Sequence, residues 1–220
     1  MENLEDFLNS LARVSEEEIL PEETSLTSTN ALLYYLPWGF TIYRTHYGED
    51  SDEHWTALVQ MIRADVKSQI LDKREEDPLA QQLLSLFTLD ARSDASKYDG
   101  LSMDELRIAF RDKIGGEPMN ADRREHRVAL LVDQDVIDAQ RAMVGVARNQ
   151  PWVKCVEIDY VASEHEPRHW RLPRQTYFGW MKLDARNIPQ FWDQLTVQWM
   201  FEFAPQGGGY FFSAGSIWDY

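Results

Sequence analysis

Four short apolar runs, each ending in aspartate, constrain the fold of this 220-residue chain more than any other feature. They read FTLD, LLVD, VEID and MKLD, and they end at Asp90, Asp133, Asp159 and Asp184. Short apolar runs bounded by turn-forming residues are typical of β-strands, and an aspartate stops a strand and caps the segment after it. A second interpretation stays open, in which the four carboxylates lie at equivalent strand ends, face one cleft and bind a cation.

The segment WGFTIYRT predicts one more strand, at residues 39–45, because aromatic and β-branched side chains alternate in part along it. The run LLSLFTLD, residues 83–90, is predicted to form a strand that ends near Asp90. Between these two strands the sequence predicts a long helix, with Ser51 or Asp52 as its N-cap. The apolar side chains of this helix recur at spacings of three and four residues: Trp55, Leu58, Val59, Ile62, Val66 and Ile70. Farther along, Ser102 and Glu105 have the spacing of a capping box, which predicts a second helix start.

These segments predict an α+β protein with a single globular domain at residues 37–220. We expect a mixed or antiparallel sheet of four to five strands, with helices mainly on one face. Residues 1–36 are predicted to be an appended N-terminal helical segment, because Leu4, Phe7 and Leu8 share one helix face. That helix either folds back on its own domain, the interpretation we favour, or docks on a partner or a second copy. A homodimer through this helix or through the aromatic C-terminal tail is therefore one expectation.

The charge of the chain limits its partners. Thirty-seven acidic and 22 basic side chains give a formal net charge of −15, which repels nucleic-acid phosphates and anionic lipid. No apolar run is long enough to span a membrane, and the amino terminus lacks the basic residues of a signal peptide. The single cysteine, Cys155, fits a reducing compartment and a buried apolar position. The sequence therefore predicts an intracellular protein, in the cytoplasm or the nucleus, that binds neither nucleic acid nor membrane.

The pentapeptide His165 to His169 reads HEPRH and matches the H-E-x-x-H pattern of zinc peptidases. That pattern works on a helix, where both imidazoles face one side and the glutamate acts as a base. Pro167 stands inside it and costs about 3 kcal/mol in a helix interior. We therefore predict no metal site, with His165 and His169 as weak candidates, and no cofactor.

The same stretch forms a basic and aromatic island on an acidic chain. Its members are Arg168, His169, Trp170, Arg171 and Arg174. Such a group either holds an anionic ligand, through paired guanidinium donors and a stacking indole, or is an ordinary solvated loop.

The segment WGFTIYRTHYGEDSDEHW resembles the opening of a large family of small filamentous-fungal proteins of unassigned activity, which begins with W-G-F-x-I-Y-R-T-x-Y. The matching positions are Trp38, Gly39, Phe40, Ile42, Tyr43, Arg44, Thr45, Tyr47 and Trp55. Two later segments, HRVALLVDQDVIDA and YFGWMKLDARNI, are similar to that family as well. The N-terminal extension and the aromatic tail depart from its pattern. The resemblance implies a fungal, intracellular protein and supplies no catalytic residues.

Arg44 shares a strand face with Phe40 and Ile42, so we expect it to pair with a strand-end carboxylate such as Asp133. No convincing catalytic constellation is present, which favours a non-catalytic binding or interaction module acting on a protein partner or a small molecule. The alternative is a small-molecule enzyme of fungal specialised metabolism, with a pocket around Tyr43, Arg44, Trp170 and Trp180. A zinc hydrolase that uses the HEPRH segment is a third and remote alternative. The candidate ligand-binding residues are Tyr43, Arg44, Asp133, Trp170, Arg171 and Trp180.

Overall fold

A single mixed β-sheet organises the chain, with helices packed mainly on one of its faces. The computed structural model describes residues 4–12, 34–124, 126–143, 151–166, 175–205 and 211–212. The strands are β1 Trp38–Arg44, β2 Phe87–Arg92, β3 Val128–Val132, β4 Trp152–Glu157, β5 Trp180–Asp184 and the two-residue β6 Phe211–Phe212. The helices are α1 Leu4–Ser10, α2 Ser51–Leu71, α3 Pro78–Leu86, α4 Ala95–Tyr98, α5 Met103–Arg111, α6 Gln134–Met143, α7 Ala162–His165, α8 Ile188–Val197 and α9 Met200–Phe203. The predicted α+β class with a mixed sheet is confirmed.

The strand order is β2-β1-β3-β4-β5-β6. β1 runs parallel to both β2 and β3, whereas β4 runs antiparallel to its neighbours β3 and β5. The strands therefore do not all end at the same edge of the sheet. β1, β2, β3 and β5 end at one edge, and β4 ends at the other, close to where β3 and β5 begin.

The larger hydrophobic core lies on the face covered by α1, α2, α3, α6 and α8. Trp38 at the start of β1 is fully buried there, and its indole nitrogen donates to the carbonyl of Leu83 on α3 over 2.7 Å. Its ring also contacts Phe7 of α1 and Trp192 of α8, with centroids 4.9 and 6.2 Å apart. A smaller cluster, which includes Tyr98 of α4, lies on the opposite face beneath α5.

The period-two prediction for β1 is confirmed by these two cores. Phe40 and Ile42 enter the larger core, and Tyr43 enters the smaller one. The apolar face predicted for α2 is also confirmed, because Trp55 and its five partners at spacings of three and four are all buried. The capping box holds too: the backbone N–H of Ser102 donates to the carboxylate of Glu105 over 2.8 Å.

The N-terminal helix α1 folds back on its own chain, as we favoured. Leu4, Phe7 and Leu8 are buried in the larger core, and the chain after α1 forms a bridge between Ala12 and Tyr35. The backbone N–H of residue 36 donates to the carbonyl of residue 11 over 2.8 Å. The apolar face of α1 is thus occupied within this chain.

Two local predictions need correction. Residues 83–86 are helical rather than extended, because Asp77 caps α3 by accepting from the backbone N–H of Leu79 over 2.9 Å, and Pro78 has the φ that a first helical turn requires. The strand begins only at Phe87 and ends at Arg92. At α2 the N-cap is Asp50, in the left-handed region at φ 59°, rather than Ser51 or Asp52.

The common cleft for the four strand-end aspartates is wrong. Because β4 runs antiparallel to β3, Asp159 lies at the opposite edge of the sheet from Asp133. Each carboxylate also has a cationic partner of its own: Asp90 with Arg92, Asp133 with Lys154, Asp159 with Arg127 and Asp184 with Arg186. The structural interpretation, strand stop and local cap, explains these residues. Within the described ranges, no helix combines the length and the apolar character needed to cross a membrane.

Gly39 provides a test of the β1–β2 pairing. Its φ is +121°, and a Cβ there would lie 2.0 Å from the carbonyl oxygen of Thr88 on β2. Gly116 has a similar φ of +109°, but a Cβ would meet nothing within 4 Å. We expect Gly39→Ala to cost more than about 3 kcal/mol and Gly116→Ala about 1–2 kcal/mol. Urea unfolding of both variants checks this, and equal losses would contradict the close pairing of β1 with β2 at Gly39.

Candidate functional site

Tyr43 and Trp180, two of the predicted ligand-binding residues, lie in the smaller core. Tyr43 is fully buried, and burial raises the pKa of its hydroxyl. Its hydroxyl accepts a 3.4 Å hydrogen bond from Arg92. Trp180 is half-buried, with the ammonium of Lys154 lying 5.5 Å from its ring centroid. Both aromatic rings therefore have structural partners.

Arg44 does not pair with Asp133. Its guanidinium turns to the N-terminus of α2, where Nη1 lies 2.5 Å from the carboxylate of Asp52 and Nη2 donates to the hydroxyl of Ser51 over 2.7 Å. Nε donates to the carbonyl of His46 over 2.9 Å, so every nitrogen has a partner. The prediction failed because Arg44, at the end of β1, pairs with the first turn of α2, whereas Asp133 pairs with Lys154.

Asp133 instead pairs with the buried ammonium of Lys154, which also lies 2.6 Å from the carboxylate of Asp135. Tyr43 and Arg44 do not line one pocket as predicted, because Tyr43 lies in the smaller core whereas the guanidinium of Arg44 turns to the N-terminus of α2. His169, Trp170 and Arg171 lie outside the described residues.

A groove of about 470 Å³ opens at the other edge of the sheet, where β4 ends and β5 begins. We call it the Glu157 groove. It combines three carboxylates with three aromatic side chains, and its lining residues are Arg124, Glu157, Asp159, Tyr160, Glu164, His165, Trp199 and Phe201. They come from the end of β4, from α7, from the segment before β3 and from the start of α9. These segments are distant in the sequence and meet only in the folded chain.

Glu157 is the chemically distinctive residue of this groove. Burial raises the pKa of its carboxyl, although the hydroxyl of Tyr177 donates to its Oε2 over 2.7 Å and the charges of His165 and Arg107 act in the opposite direction. Its other oxygen, Oε1, accepts no hydrogen bond from the residues that the structure describes. Burial, and then the neighbouring Glu157 charge, raises the pKa of Tyr177 as well, so this phenol keeps its proton and remains a donor.

Aromatic stacking sets the position of His165 in the groove. Its imidazole stacks on Tyr160, with centroids 5.3 Å apart and planes at 12°, and meets the edge of Tyr177 at 5.0 Å. Phe201 lies 5.3 Å from the same imidazole. The sequence analysis predicted no metal site and named His165 only as a weak candidate ligand; the structure places this side chain in an aromatic cluster. Among the described residues no three His, Cys, Asp or Glu side chains lie close enough to hold a metal ion.

Arg107 of α5 supports the groove from beneath. This buried guanidinium donates to the carbonyl of Glu157 over 2.8 Å and to the carbonyl of Gly179 over 2.9 Å, and it lies 5.0 Å from the ring centroid of Tyr160. Asp104, 2.6 Å away, balances its charge. The end of β4 and the residue before β5 are thus bound by one guanidinium.

Comparison with known proteins gives no further guide: no family profile, no curated protein and no solved structure matches this chain. The resemblance to small fungal proteins stays a prediction from the motif at residues 38–47.

Sequence reasoning missed Glu157, Tyr160, Tyr177, Trp199 and Phe201. One signal was available: Glu157 interrupts the apolar run VKCVEI, and an acid inside such a run becomes a buried charge once the strand forms. The aromatic members carry no local signal, because they lie at positions typical of ordinary core residues.

Replacing Glu157 with glutamine is expected to stabilise the protein. The amide oxygen still accepts from Tyr177, and the desolvated charge is gone. A carboxyl whose pKa is higher in the folded than in the unfolded state contributes stability when protonated, and loses it as the pH rises through the folded-state pKa. At about pH 7 we therefore expect Glu157→Gln to gain about 0.5–2 kcal/mol over the wild type.

That gain should disappear below about pH 4, where the carboxyl is protonated in both states. Urea unfolding at the two pH values measures it. Glu164→Gln, at an exposed groove position, is the matched control and should stay within about 0.5 kcal/mol of the wild type. A Glu157→Gln protein less stable than wild type at neutral pH would show that the carboxylate stabilises the folded chain, which contradicts the expected cost of its desolvation.

Proposed function

We propose that this chain is a non-catalytic interaction module that binds a protein partner through the Glu157 groove. The observation that carries the proposal is the combination of unpaired carboxylates and exposed apolar side chains at one place. Glu157 and Glu164 form no ion pair within the described residues, and Phe201 beside them is 43% exposed. Interfaces combine an apolar contact area with charged groups that select the partner.

Other exposed apolar side chains flank the groove residues along the chain. Val161 follows Tyr160 and is 46% exposed, and Phe178 follows Tyr177 and is 43% exposed. Exposed apolar groups next to charged groups are typical of a surface that a partner covers. Cys155 is buried and forms no disulfide within the described residues, which is compatible with a reducing compartment.

One observation favours an enzyme instead. Glu157 has a raised carboxyl pKa, receives a hydrogen bond from Tyr177 and lies near His165, and perturbed acids next to a second titratable group are common at catalytic sites. A small molecule retained on purification from its own host, detected by native mass spectrometry, would support this alternative.

Site-specific photo-crosslinking tests the interaction module. A photoreactive phenylalanine at position 201 should form adducts with a discrete protein in cells of the source organism. The same group at Leu79, on α3 and similarly exposed, is the matched control and should not. The adduct should disappear with Glu164→Arg, which reverses one groove charge, and persist with Glu76→Arg on the distant loop before α3. Equal adducts at both positions, or none at 201, would remove the groove as an interaction site.

A further inference from the structure

We infer that the group which enters the Glu157 groove is a lysine side chain of the partner protein, an inference that rests on the proposed interaction function. Charge complementarity favours a cation at this place. The chain carries a net charge of −15, so a basic segment is attracted from a distance. Within the groove Asp159 is neutralised by Arg127 over 3.0 Å, whereas Glu157 and Glu164 have no such ion pair among the residues described.

The two arginines nearest this groove, Arg124 and Arg107, form no ion pair with Glu157 or Glu164 within the described residues. Arg124 lines the groove, but its guanidinium lies over the ring of Trp199, 5.3 Å from the centroid. Arg107 lowers the pKa of the Glu157 carboxyl through its charge, but its three nitrogens donate to the carbonyl of Glu157, to Asp104 and to the carbonyl of Gly179 rather than to the carboxylate. The oxygen that faces away from Tyr177 therefore has no protein donor within the described ranges.

The hydrogen bonding of Glu157 selects an ammonium over a guanidinium. An arginine fork binds best to a carboxylate with both oxygens free, because it donates two parallel hydrogen bonds. Here Tyr177 occupies Oε2, which leaves one oxygen for a single donor. A lysine ammonium is a compact charge with rotatable donors and suits a single acceptor.

The walls of the groove suit the rest of a lysine side chain. A lysine packs its four methylene groups along apolar surface while its charged end reaches a polar partner. Trp199 and Phe201 provide that surface, with Phe201 43% exposed. An ammonium that reaches Glu157 would also replace the water that burial has removed from this carboxylate.

The inference is tested with a defined probe, the peptide acetyl-Gly-Lys-Gly-Lys-Gly-Lys-Gly-amide at millimolar concentration, followed by two-dimensional NMR of the labelled full-length chain. The lysine peptide should shift the signals of Tyr160, Trp199 and Phe201. Two matched peptides, one with every lysine acetylated and one with arginine at each lysine, should bind about tenfold more weakly or worse. The dissociation constant should rise about tenfold in Glu157→Gln and stay unchanged in Glu76→Gln.

The outcomes distinguish failure of the lysine inference from failure of the proposed function. Equal binding of the acetylated peptide, tighter binding of the arginine peptide, or undiminished binding by a folded Glu157→Gln protein would overturn the lysine assignment. If the lysine peptide leaves the groove signals unmoved while crosslinking at position 201 succeeds, the groove binds a partner by other chemistry and this inference is wrong. Failure of the crosslinking at position 201 removes the proposed function itself, and the inference with it.

Discussion

The buried guanidinium of Arg107 is the interaction on which the candidate site depends. It donates to the carbonyl of Gly179, 72 residues farther along the chain, and to the carbonyl of Glu157. It therefore joins α5 to the end of β4 and to the residue before β5. Gly179 must be glycine there, because its φ is +73° and a Cβ would lie 2.2 Å from the ring of Tyr160 and 2.6 Å from Arg107. The close packing of Arg107, Gly179 and Tyr160 forms the floor on which the groove is built.

That floor positions Glu157. The backbone at the end of β4 is held by the hydrogen bond from Arg107, and the carboxylate is half-buried against Tyr177. Burial then raises the pKa of its carboxyl, and the single hydrogen bond from Tyr177 does not compensate. A desolvated charge normally has an ionic partner or shifts its pKa, and the half-buried carboxyl of Glu157 shifts its pKa.

The elements with regular periodicity could be predicted from the sequence, and the site could not. Alternation along β1 assigned Phe40 and Tyr43 to opposite faces correctly, because side-chain direction in a strand is a local property. The start of α3 was missed because the Asp77–Pro78 cap was outweighed by the apolar run after it. The partner of Arg44 and the composition of the Glu157 groove depend on which segments meet in space. Single-residue patterns do not contain that information, and even His165, noticed for a zinc motif, turned out to be stacked on Tyr160.

The most direct test of this account is the pKa of Glu157 itself, followed by the carbon-13 signal of its carboxyl during an NMR pH titration, with and without the lysine peptide. We expect a pKa above the ordinary value in the free chain. We also expect a lower pKa when the peptide is bound, because a ligand that prefers the carboxylate must lower the proton affinity of that carboxylate. An ordinary pKa in the free chain, or a raised one that the bound peptide leaves unchanged, would contradict the claim that this desolvated carboxylate binds a cation.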